Sequence, residues 1–167
     1  MQSRNKSGLL FRKELLMILL ILIALSGCSL QGRVANVIKE EKYERAFVNR
    51  VIDGDTFVLR DNRHVRITCI NTPEKGEFYY KEATDFLKSK VLNKEVFLEK
   101  DIGNKDKYGR LLRYVRDVND QHLINYDEVI NGYSRLDRIP PNVKHCPEFE
   151  AAEKIAKEKK SGIWSEV

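Results

Sequence analysis

Carboxylate, amide and guanidinium side chains occur together in three short segments of the chain. The segments are residues 51–56 (VIDGDT), 65–74 (VRITCINTPE) and 106–110 (DKYGR). A phosphodiester is anionic and repels hydroxide. Its hydrolysis near neutral pH therefore needs a cation and fixed guanidinium groups that neutralise the charge growing in the transition state. The three segments supply candidates for both, so phosphodiester hydrolysis is the chemistry that they fit.

Oxygen-bearing side chains provide the candidate metal ligands. Asp55 and the adjacent Asn71 and Thr72 can hold a hard cation through oxygen atoms, for which Ca²⁺ or Mg²⁺ is the natural ion. Taken alone, the Asp-Gly-Asp tripeptide is more typical of a hairpin turn, because Asp and Gly tolerate the backbone angles that such turns require. The metal-site interpretation therefore depends on the three segments together.

Two arginines and one glutamate complete the candidate catalytic set. Arg66 and Arg110 each present a planar fork that can bind phosphate oxygens in a bidentate manner, which a lysine cannot do. Glu74 is the candidate to orient or deprotonate the attacking water. In the alternative interpretation, Thr72 and Pro73 only mark the start of a helix.

In this order and at this spacing, the segments resemble the staphylococcal-type thermonuclease family, also called the SNase-like domain. The resemblance extends from about residue 46 to residue 164, and GIWS at 162–165 resembles the closing segment of the family. The resemblance implies that Asp55, Asn71 and Thr72 are calcium ligands and that Arg66 and Arg110 bind phosphate. It also implies that Glu74 is the general base and that Lys107 and Tyr108 contact the nucleotide.

The chain departs from the family pattern at two places. Asn71 stands where the family usually has Asp, which keeps an oxygen donor but removes one negative charge, so weaker Ca²⁺ binding is expected. Residues 133–139 read YSRLDRI, whereas the family prototype has tyrosines there that pack on the nucleotide. Either Arg135 or Arg138 takes over a phosphate contact, or both are surface residues without such a role.

The pattern of apolar residues predicts an α+β fold, a five-stranded OB-type β-barrel with about three helices. The predicted strands are residues 47–52, 56–60, 64–70, 95–100 and 111–115, and the predicted helices are 77–91, 123–131 and 148–160. The candidate site residues then fall at strand ends and loops of one barrel mouth, where a binding site is expected.

The first 44 residues indicate export and lipid attachment. A basic start and the apolar stretch 15–27 are followed by Cys28 in the sequence LSGC, which resembles a bacterial lipobox. We expect a lipoprotein signal peptide at 1–27, a lipid on Cys28, a tether at 28–44 and the nuclease-like domain at 45–167. An uncleaved signal anchor is the alternative. In either case the domain lies on the extracytoplasmic side of a bacterial cell membrane.

Charge and cysteine content add less. The chain has 30 basic and 25 acidic residues; without 1–27, which holds four basic residues and Glu14, 26 and 24 remain. This small excess supports a polyanionic substrate only weakly. Cys69 and Cys146 either form a disulfide in an oxidising compartment, or Cys69 is a small core residue.

The sequence therefore predicts a monomeric, lipid-anchored, calcium-dependent nuclease that hydrolyses DNA, and RNA as well, to 3′-phosphorylated products. Two other functions remain open. One is a surface module that binds nucleic acid but has lost catalysis through Asn71, and the other is a lipoprotein that uses the barrel face for a saccharide or a protein.

Overall fold

The computed structural model describes residues 43–166 of the chain. The predicted signal peptide, Cys28 and nearly all of the predicted tether lie outside these residues. The strands are Glu44–Val51 (β1), Thr56–Leu59 (β2), His64–Ile67 (β3), Ile70–Asn71 (β4), Glu95–Glu99 (β5), Leu111–Asp117 (β6) and Arg135–Leu136 (β7). The helices are Tyr80–Val91 (α1), Ile124–Ile130 (α2) and Cys146–Glu158 (α3), followed by a 3₁₀ turn at Gly162–Trp164. Within this part of the chain, no helix has the length and apolar character needed to cross a bilayer.

Five strands close into a barrel in the order β1-β2-β3-β6-β5, and β5 pairs again with β1. All pairings are antiparallel except that of β3 with β6, which is parallel. Closure pairs each of these five strands on both sides, so the barrel itself has no open edge. The α+β prediction of a five-stranded OB barrel with three helices is confirmed.

Alternation along the strands fills the barrel interior. Val65 and Ile67 of β3 are buried, whereas His64 is exposed and Arg66 is partly exposed. All four residues of β2 are buried. Each large apolar side chain removed from water contributes about 1.5–3 kcal/mol. The buried residues Val65 and Ile67 therefore fix β3 in the barrel, so that His64 and Arg66 lie on its outer face.

The helices cover the barrel with apolar faces at helical spacing. In α1 the buried residues Ala83, Leu87 and Val91 are four apart. The predicted start of this helix at residue 77 is wrong by three residues, because Tyr79 has φ 70° and this left-handed conformation cannot continue a helix. Helix α3 begins two residues earlier than predicted, and Pro147 occupies its first turn.

The third predicted strand is divided in two. Cys69 has φ 68°, which ends β3 and turns the chain, so that Ile70 and Asn71 pair with Leu136 and Arg135 in a separate two-stranded sheet. The sequence did not indicate this pairing. It fixes the direction of the segment that carries Asn71.

Cys69 and Cys146 form a disulfide whose Cα atoms are 5.9 Å apart, a normal separation. Both residues are buried. The bond joins the turn between β3 and β4 to the first residue of α3, so of the two alternatives for Cys69 the structure has the disulfide.

Candidate active site

A tight turn between β1 and β2 delivers Asp55 to the barrel mouth. The Asp53 carboxylate accepts a hydrogen bond from the Asp55 backbone N–H at 3.1 Å. A β-carbon on Gly54 would lie 2.8 Å from the Thr72 side chain, so only glycine fits there. The turn can therefore bring the Asp55 carboxylate against the segment that follows β4.

The Asp55 carboxylate is buried, with 6% of the residue exposed, and is held by four donors. Its Oδ2 atom accepts hydrogen bonds from the Thr72 backbone N–H and hydroxyl, both at 3.0 Å, and lies 2.8 Å from Arg66 Nη1. Its Oδ1 atom accepts from the Thr56 hydroxyl at 3.0 Å. This arrangement fixes the carboxylate in one orientation.

Asp53 is a second acidic group in the same turn. Burial, and then the negative charge of Asp55, raise the pKa of Asp53 to about 6, although Arg66 acts in the opposite direction. Two carboxyl groups therefore share this turn.

Arg66 connects the two predicted side-chain metal ligands. While Nη1 contacts Asp55, Nη2 donates to the Asn71 amide oxygen at 2.8 Å, and Nη1 also donates to the Ile67 carbonyl at 3.1 Å. The guanidinium is mostly buried, with 13% of the side chain exposed. Because one planar group reaches both oxygens, the Asp55 and Asn71 donors converge on the same small region.

The donor set at this point fits a hard cation. Asp55 offers a carboxylate, Asn71 an amide oxygen and Thr72 a backbone carbonyl, all of them oxygen ligands of the kind that Ca²⁺ binds. Among residues 43–166, no three His, Cys, Asp or Glu side chains gather into a metal-binding cluster. A cation held here would thus rely on neutral oxygens as well as on Asp55.

Arg110 comes from another part of the chain and lies near the Thr56 hydroxyl, which binds the Asp55 carboxylate. Asp106 holds it through Nε at 2.6 Å and through its backbone N–H at 3.0 Å, and also accepts the Tyr108 backbone N–H at 2.9 Å. Burial acts to raise the pKa of Asp106, but these hydrogen bonds and the Arg110 charge lower it overall. Arg110 Nη1 lies 3.5 Å from the Thr56 hydroxyl, which in turn donates to Asp55. Sequence reasoning missed the roles of Asp106 and Thr56, although Asp106 lies inside the DKYGR segment.

Glu74 lies in the exposed turn that precedes α1. Its backbone N–H donates to a Glu77 carboxylate oxygen at 2.7 Å, and its carbonyl accepts the Glu77 N–H at 2.9 Å. The Glu74 side chain is exposed to solvent, two residues after Thr72. A carboxylate in this position has ready access to water.

A cavity of about 430 Å³ adjoins these groups. Its polar lining includes both arginines and the two predicted nucleotide-contacting residues, and its apolar wall comes from the ends of β3 and β6 and from the loop after β7. These four residues of the polar lining are Arg66, Lys107, Tyr108 and Arg110. Four residues that the sequence assigned to the site, Asp55, Asn71, Thr72 and Glu74, are not in its lining. Asp55 and Asn71 are joined to it through Arg66, and Thr72 through Asp55, whereas the contacts of Glu74 are with Glu77.

Tyr108 is the aromatic residue in the lining of the cavity and is 72% exposed. The Lys107 Nζ atom lies 5.0 Å from its ring centre and the Arg110 Cζ atom lies 5.5 Å from it. Arg135 instead contacts the Trp164 ring at 5.5 Å, and Arg138 pairs with Glu150. Neither of these two arginines lines the cavity, and from residues 133–139 the lining includes Asp137 and Ile139.

A closed OB barrel with an oxygen-donor cluster and two converging arginines at its mouth defines an SNase-like domain. The family model described as staphylococcal nuclease homologue matches residues 64–166. The chain is 38% identical over 131 residues to a thermonuclease of Staphylococcus intermedius, covering 72% of this chain and 76% of that protein. It is 37% identical over 127 residues to a thermonuclease of Staphylococcus hyicus, covering 71% and 74%. It is also 32% identical over 137 residues to the endonuclease YncB of Bacillus subtilis, covering 75% and 64%. The chain therefore belongs to the staphylococcal nuclease family.

Proposed function

We propose that the protein is a calcium-dependent nuclease that hydrolyses phosphodiester bonds of DNA and RNA and leaves 3′-phosphorylated products. The observation that carries the proposal is the approach of Arg66 and Arg110, 44 positions apart in the sequence, to the linked Asp55 and Thr56. The names of the relatives, thermonuclease and endonuclease, support it.

Binding of the phosphate falls to the two guanidinium groups. Each can donate two hydrogen bonds to phosphate oxygens, and both stabilise the extra negative charge that develops as phosphorus gains a fifth oxygen. Asp106 aligns Arg110 for this task through its Nε contact. In Arg66 the same groups that contact Asp55 and Asn71 would turn to the phosphate.

Glu74 would orient the attacking water and accept its proton, for which its exposed side chain is suited. The water oxygen bonds to phosphorus while the bond from phosphorus to the 5′ oxygen breaks. The 5′ oxygen takes a proton from solvent and leaves as a hydroxyl group, so the phosphate stays on the 3′ side. Ca²⁺ held by Asp55, Asn71 and Thr72 would supply Lewis-acid polarisation of the phosphate. Lys107 and Tyr108 would hold the adjoining nucleotide.

A nucleic-acid-binding module without catalysis is the second candidate. The observation that favours it is the amide at position 71, whose oxygen accepts a hydrogen bond from Arg66. An amide is uncharged, so it attracts a cation less strongly than a carboxylate would. Such a module would bind DNA with a steep dependence on salt and leave it intact.

We also propose that the domain acts outside the cytoplasmic membrane as a lipid-anchored monomer. The LSGC sequence ending at Cys28 supports the anchor, and the disulfide supports an oxidising compartment. Cell fractionation compares the wild type with Cys28→Ser. The wild type should stay with the membrane and label with a radioactive fatty acid, and equal labelling of Cys28→Ser would contradict the anchor.

To test the main proposal, the detergent-purified protein is incubated with duplex DNA, single-stranded DNA and RNA, and cleavage is measured while Ca²⁺ is titrated against EGTA. Cleavage that requires Ca²⁺ and leaves 3′-phosphates is the expected result. Binding in a mobility-shift assay without cleavage, at millimolar Ca²⁺ or other divalent ions, would favour the second candidate.

A further inference from the structure

Glu128 of α2 is a buried acidic residue that the chemistry described so far does not use. The residue has no exposed surface, and neither of its carboxylate oxygens has a hydrogen-bond partner among residues 43–166. A buried polar group without a partner destabilises a fold, and exceptions of this kind are expected at functional sites. The position of Glu128 in the fold therefore indicates what it can do.

The buried face of α2 lies along the segment that leads into the candidate cation site. Asn125, one helical turn before Glu128 on that face, donates from its side-chain amide to the Thr68 carbonyl at 2.9 Å. The Glu128 carbonyl accepts the Ser134 backbone N–H at 3.2 Å. The hydroxyl groups of Thr68 and Ser134 are also buried without a partner in the described part of the chain. Several polar groups therefore lie on the interior side of this segment.

Strand pairing relates Glu128 to the Asp55 carboxylate. Strands β4 and β7 are antiparallel, and continuation of their register places Thr72 opposite Ser134, whose N–H binds the Glu128 carbonyl. Thr72 donates two hydrogen bonds, both of 3.0 Å, to Asp55 Oδ2. Glu128 therefore lies on the interior side of the Asp55 end of the site, without a hydrogen bond to either residue.

The charges around Glu128 make Asp55 the important neighbour. Burial raises the pKa of Glu128 most, and the negative charges of Asp55 and Asp127 raise it further, whereas Lys90 of α1 lowers it. Lys90 and Asp127 form an ion pair at 2.9 Å, so their effects on Glu128 oppose each other. The charge at Asp55 remains, and this is the charge that a bound cation would reverse.

The other elements packed against α2 offer no competing charge to Glu128. The buried face of α3 is apolar, and β4 has no ionisable residue. Arg113, the buried charged residue of β6, donates to Asn104 instead. Asp53 shares the turn with Asp55, but because its pKa is about 6 it is largely ionised above pH 7. Glu128 is therefore the acidic group of this region that can still ionise above pH 7.

We propose that Glu128 is a second acidic group of the candidate cation site, which keeps its proton while the site is empty and releases it to solvent when a divalent cation binds at Asp55. The cation turns the negative charge at Asp55 into a net positive one, which favours the Glu128 carboxylate. That carboxylate supplies, from the interior, the negative charge that the amide of Asn71 lacks. The inference rests on the proposed function and deepens it, because it explains how a site with one carboxylate ligand holds the cation.

Isothermal titration calorimetry of Ca²⁺ binding by the detergent-purified full chain, in buffers of different ionisation enthalpy, measures affinity and proton release together. Between about pH 7 and about pH 9, the wild type should release protons on binding, and its affinity should rise by up to about tenfold per pH unit. In Glu128→Gln this rise should be at least about threefold smaller over the same range.

Glutamine matches the shape and charge of the protonated acid, so Glu128→Gln should fold with the melting temperature of the wild type at pH 7. Glu82→Gln, at an exposed position of α1, is the matched control and should release protons as the wild type does. Equal proton release by the wild type and Glu128→Gln would overturn the inference, and so would an equal loss in Glu82→Gln.

Infrared spectroscopy follows the carboxyl group directly. The C=O stretching band of a protonated carboxyl group should weaken in the wild type as Ca²⁺ is added over the same pH range, and Glu128→Gln should lack this change. A wild-type band that persists at saturating Ca²⁺ would overturn the inference. Failure of the proposed function is distinct, because a wild type that binds Ca²⁺ with proton release but cleaves neither DNA nor RNA would contradict the nuclease and uphold the role of Glu128.

Discussion

Arg66 binds the two oxygen donors of the candidate cation site and is also assigned to the phosphate. Its guanidinium lies 2.8 Å from Asp55 Oδ2 and 2.8 Å from Asn71 Oδ1. Removal of the whole side chain would leave Asp55 buried without its charged partner and so destabilise the protein. A substitution that keeps the positive charge is therefore the informative one.

Arg66→Lys should lower kcat at least about a hundredfold with little change in melting temperature. The ammonium group keeps the charge beside Asp55 but cannot bind the phosphate in a bidentate manner, and loss of one transition-state donor has this magnitude. Steady-state kinetics and thermal unfolding provide the two readouts. Arg135→Lys, outside the cavity, is the control, and an Arg66→Lys enzyme as active as that control would contradict the role of Arg66.

Asn71→Asp should tighten Ca²⁺ binding about tenfold, or ~1.4 kcal/mol. The new carboxylate adds a charge at the position where the amide oxygen already converges with Asp55. Isothermal titration calorimetry measures the affinity, and the Ca²⁺-induced rise in melting temperature gives a readout independent of activity. Asn131→Asp, exposed at the end of α2, controls for the added charge; an equal gain there would show that position 71 is not a ligand.

For single residues, the sequence predicted which side chains form the candidate site, and the structure adds the hydrogen bonds that connect them. The turn at Asp55 and the strand position of Arg66 follow from local pattern. The Thr56 hydroxyl that lies between Asp55 and Arg110 does not, because 54 residues separate Thr56 from Arg110 and only closure of the barrel brings them together. No local pattern carries that information.

At the scale of secondary-structure elements, helix α2 contains a carboxylic acid, Glu128, in an environment that disfavours its charged form. Glu128 is fully buried, and neither carboxylate oxygen has a hydrogen-bond partner in the described part of the chain. Burial, and then the negative charges of Asp55 and Asp127, raise the pKa of Glu128 well above its ordinary value, while Lys90 lowers it. The side chain is therefore protonated in the folded protein over a wide pH range.

Glu128→Leu should raise the free energy of unfolding at pH 7 by at least about 1 kcal/mol, because an unsatisfied buried polar group is removed. The folded protein binds more protons than the unfolded one above the ordinary pKa of 4.5, so the Glu128 contribution to stability falls as pH rises from there. The gain of the variant should accordingly shrink towards pH 4. Urea unfolding at several pH values measures it, with exposed Glu82→Leu on α1 as control. A gain that does not change with pH would contradict this account.

Elements also differ in how far their bounds follow from sequence. The β2 and β5 strands and the buried faces of α1 and α3 lie close to where periodicity predicts them. The division of β3 from β4 does not, because it depends on the left-handed turn at Cys69 and on pairing of Ile70 with Leu136, which are 66 positions apart. Two-residue strands of this kind have no periodicity of their own.

At the scale of the whole molecule, the disulfide is a long-range covalent constraint, because its two cysteines are 77 positions apart in the sequence. It connects the turn that leads into Asn71 and Thr72 with the start of α3. The constraint therefore spans the candidate site and the helical layer.

Cys69→Ala with Cys146→Ala should lower the free energy of unfolding by up to about 4.5 kcal/mol, the chain-entropy value for a loop of this length. Guanidinium unfolding of both proteins, each with and without a thiol reductant, measures the loss. The reductant should destabilise the wild type and leave the double variant unchanged. Equal stability of the oxidised wild type and the variant would show that the bond adds nothing to the fold.

The parallel pairing of β3 with β6 determines when the site can come into existence as the chain emerges. An N-terminal portion that ends before residue 111 carries Asp55, Arg66 and Asn71, but its barrel lacks the strand that β3 and β5 both require. Arg110 precedes that strand directly. A chain that ends before β6 is therefore an incomplete enzyme. If the domain is exported as proposed, the nuclease would acquire its activity only after the chain as far as Asp117, the end of β6, had left the compartment that holds the cell's own DNA.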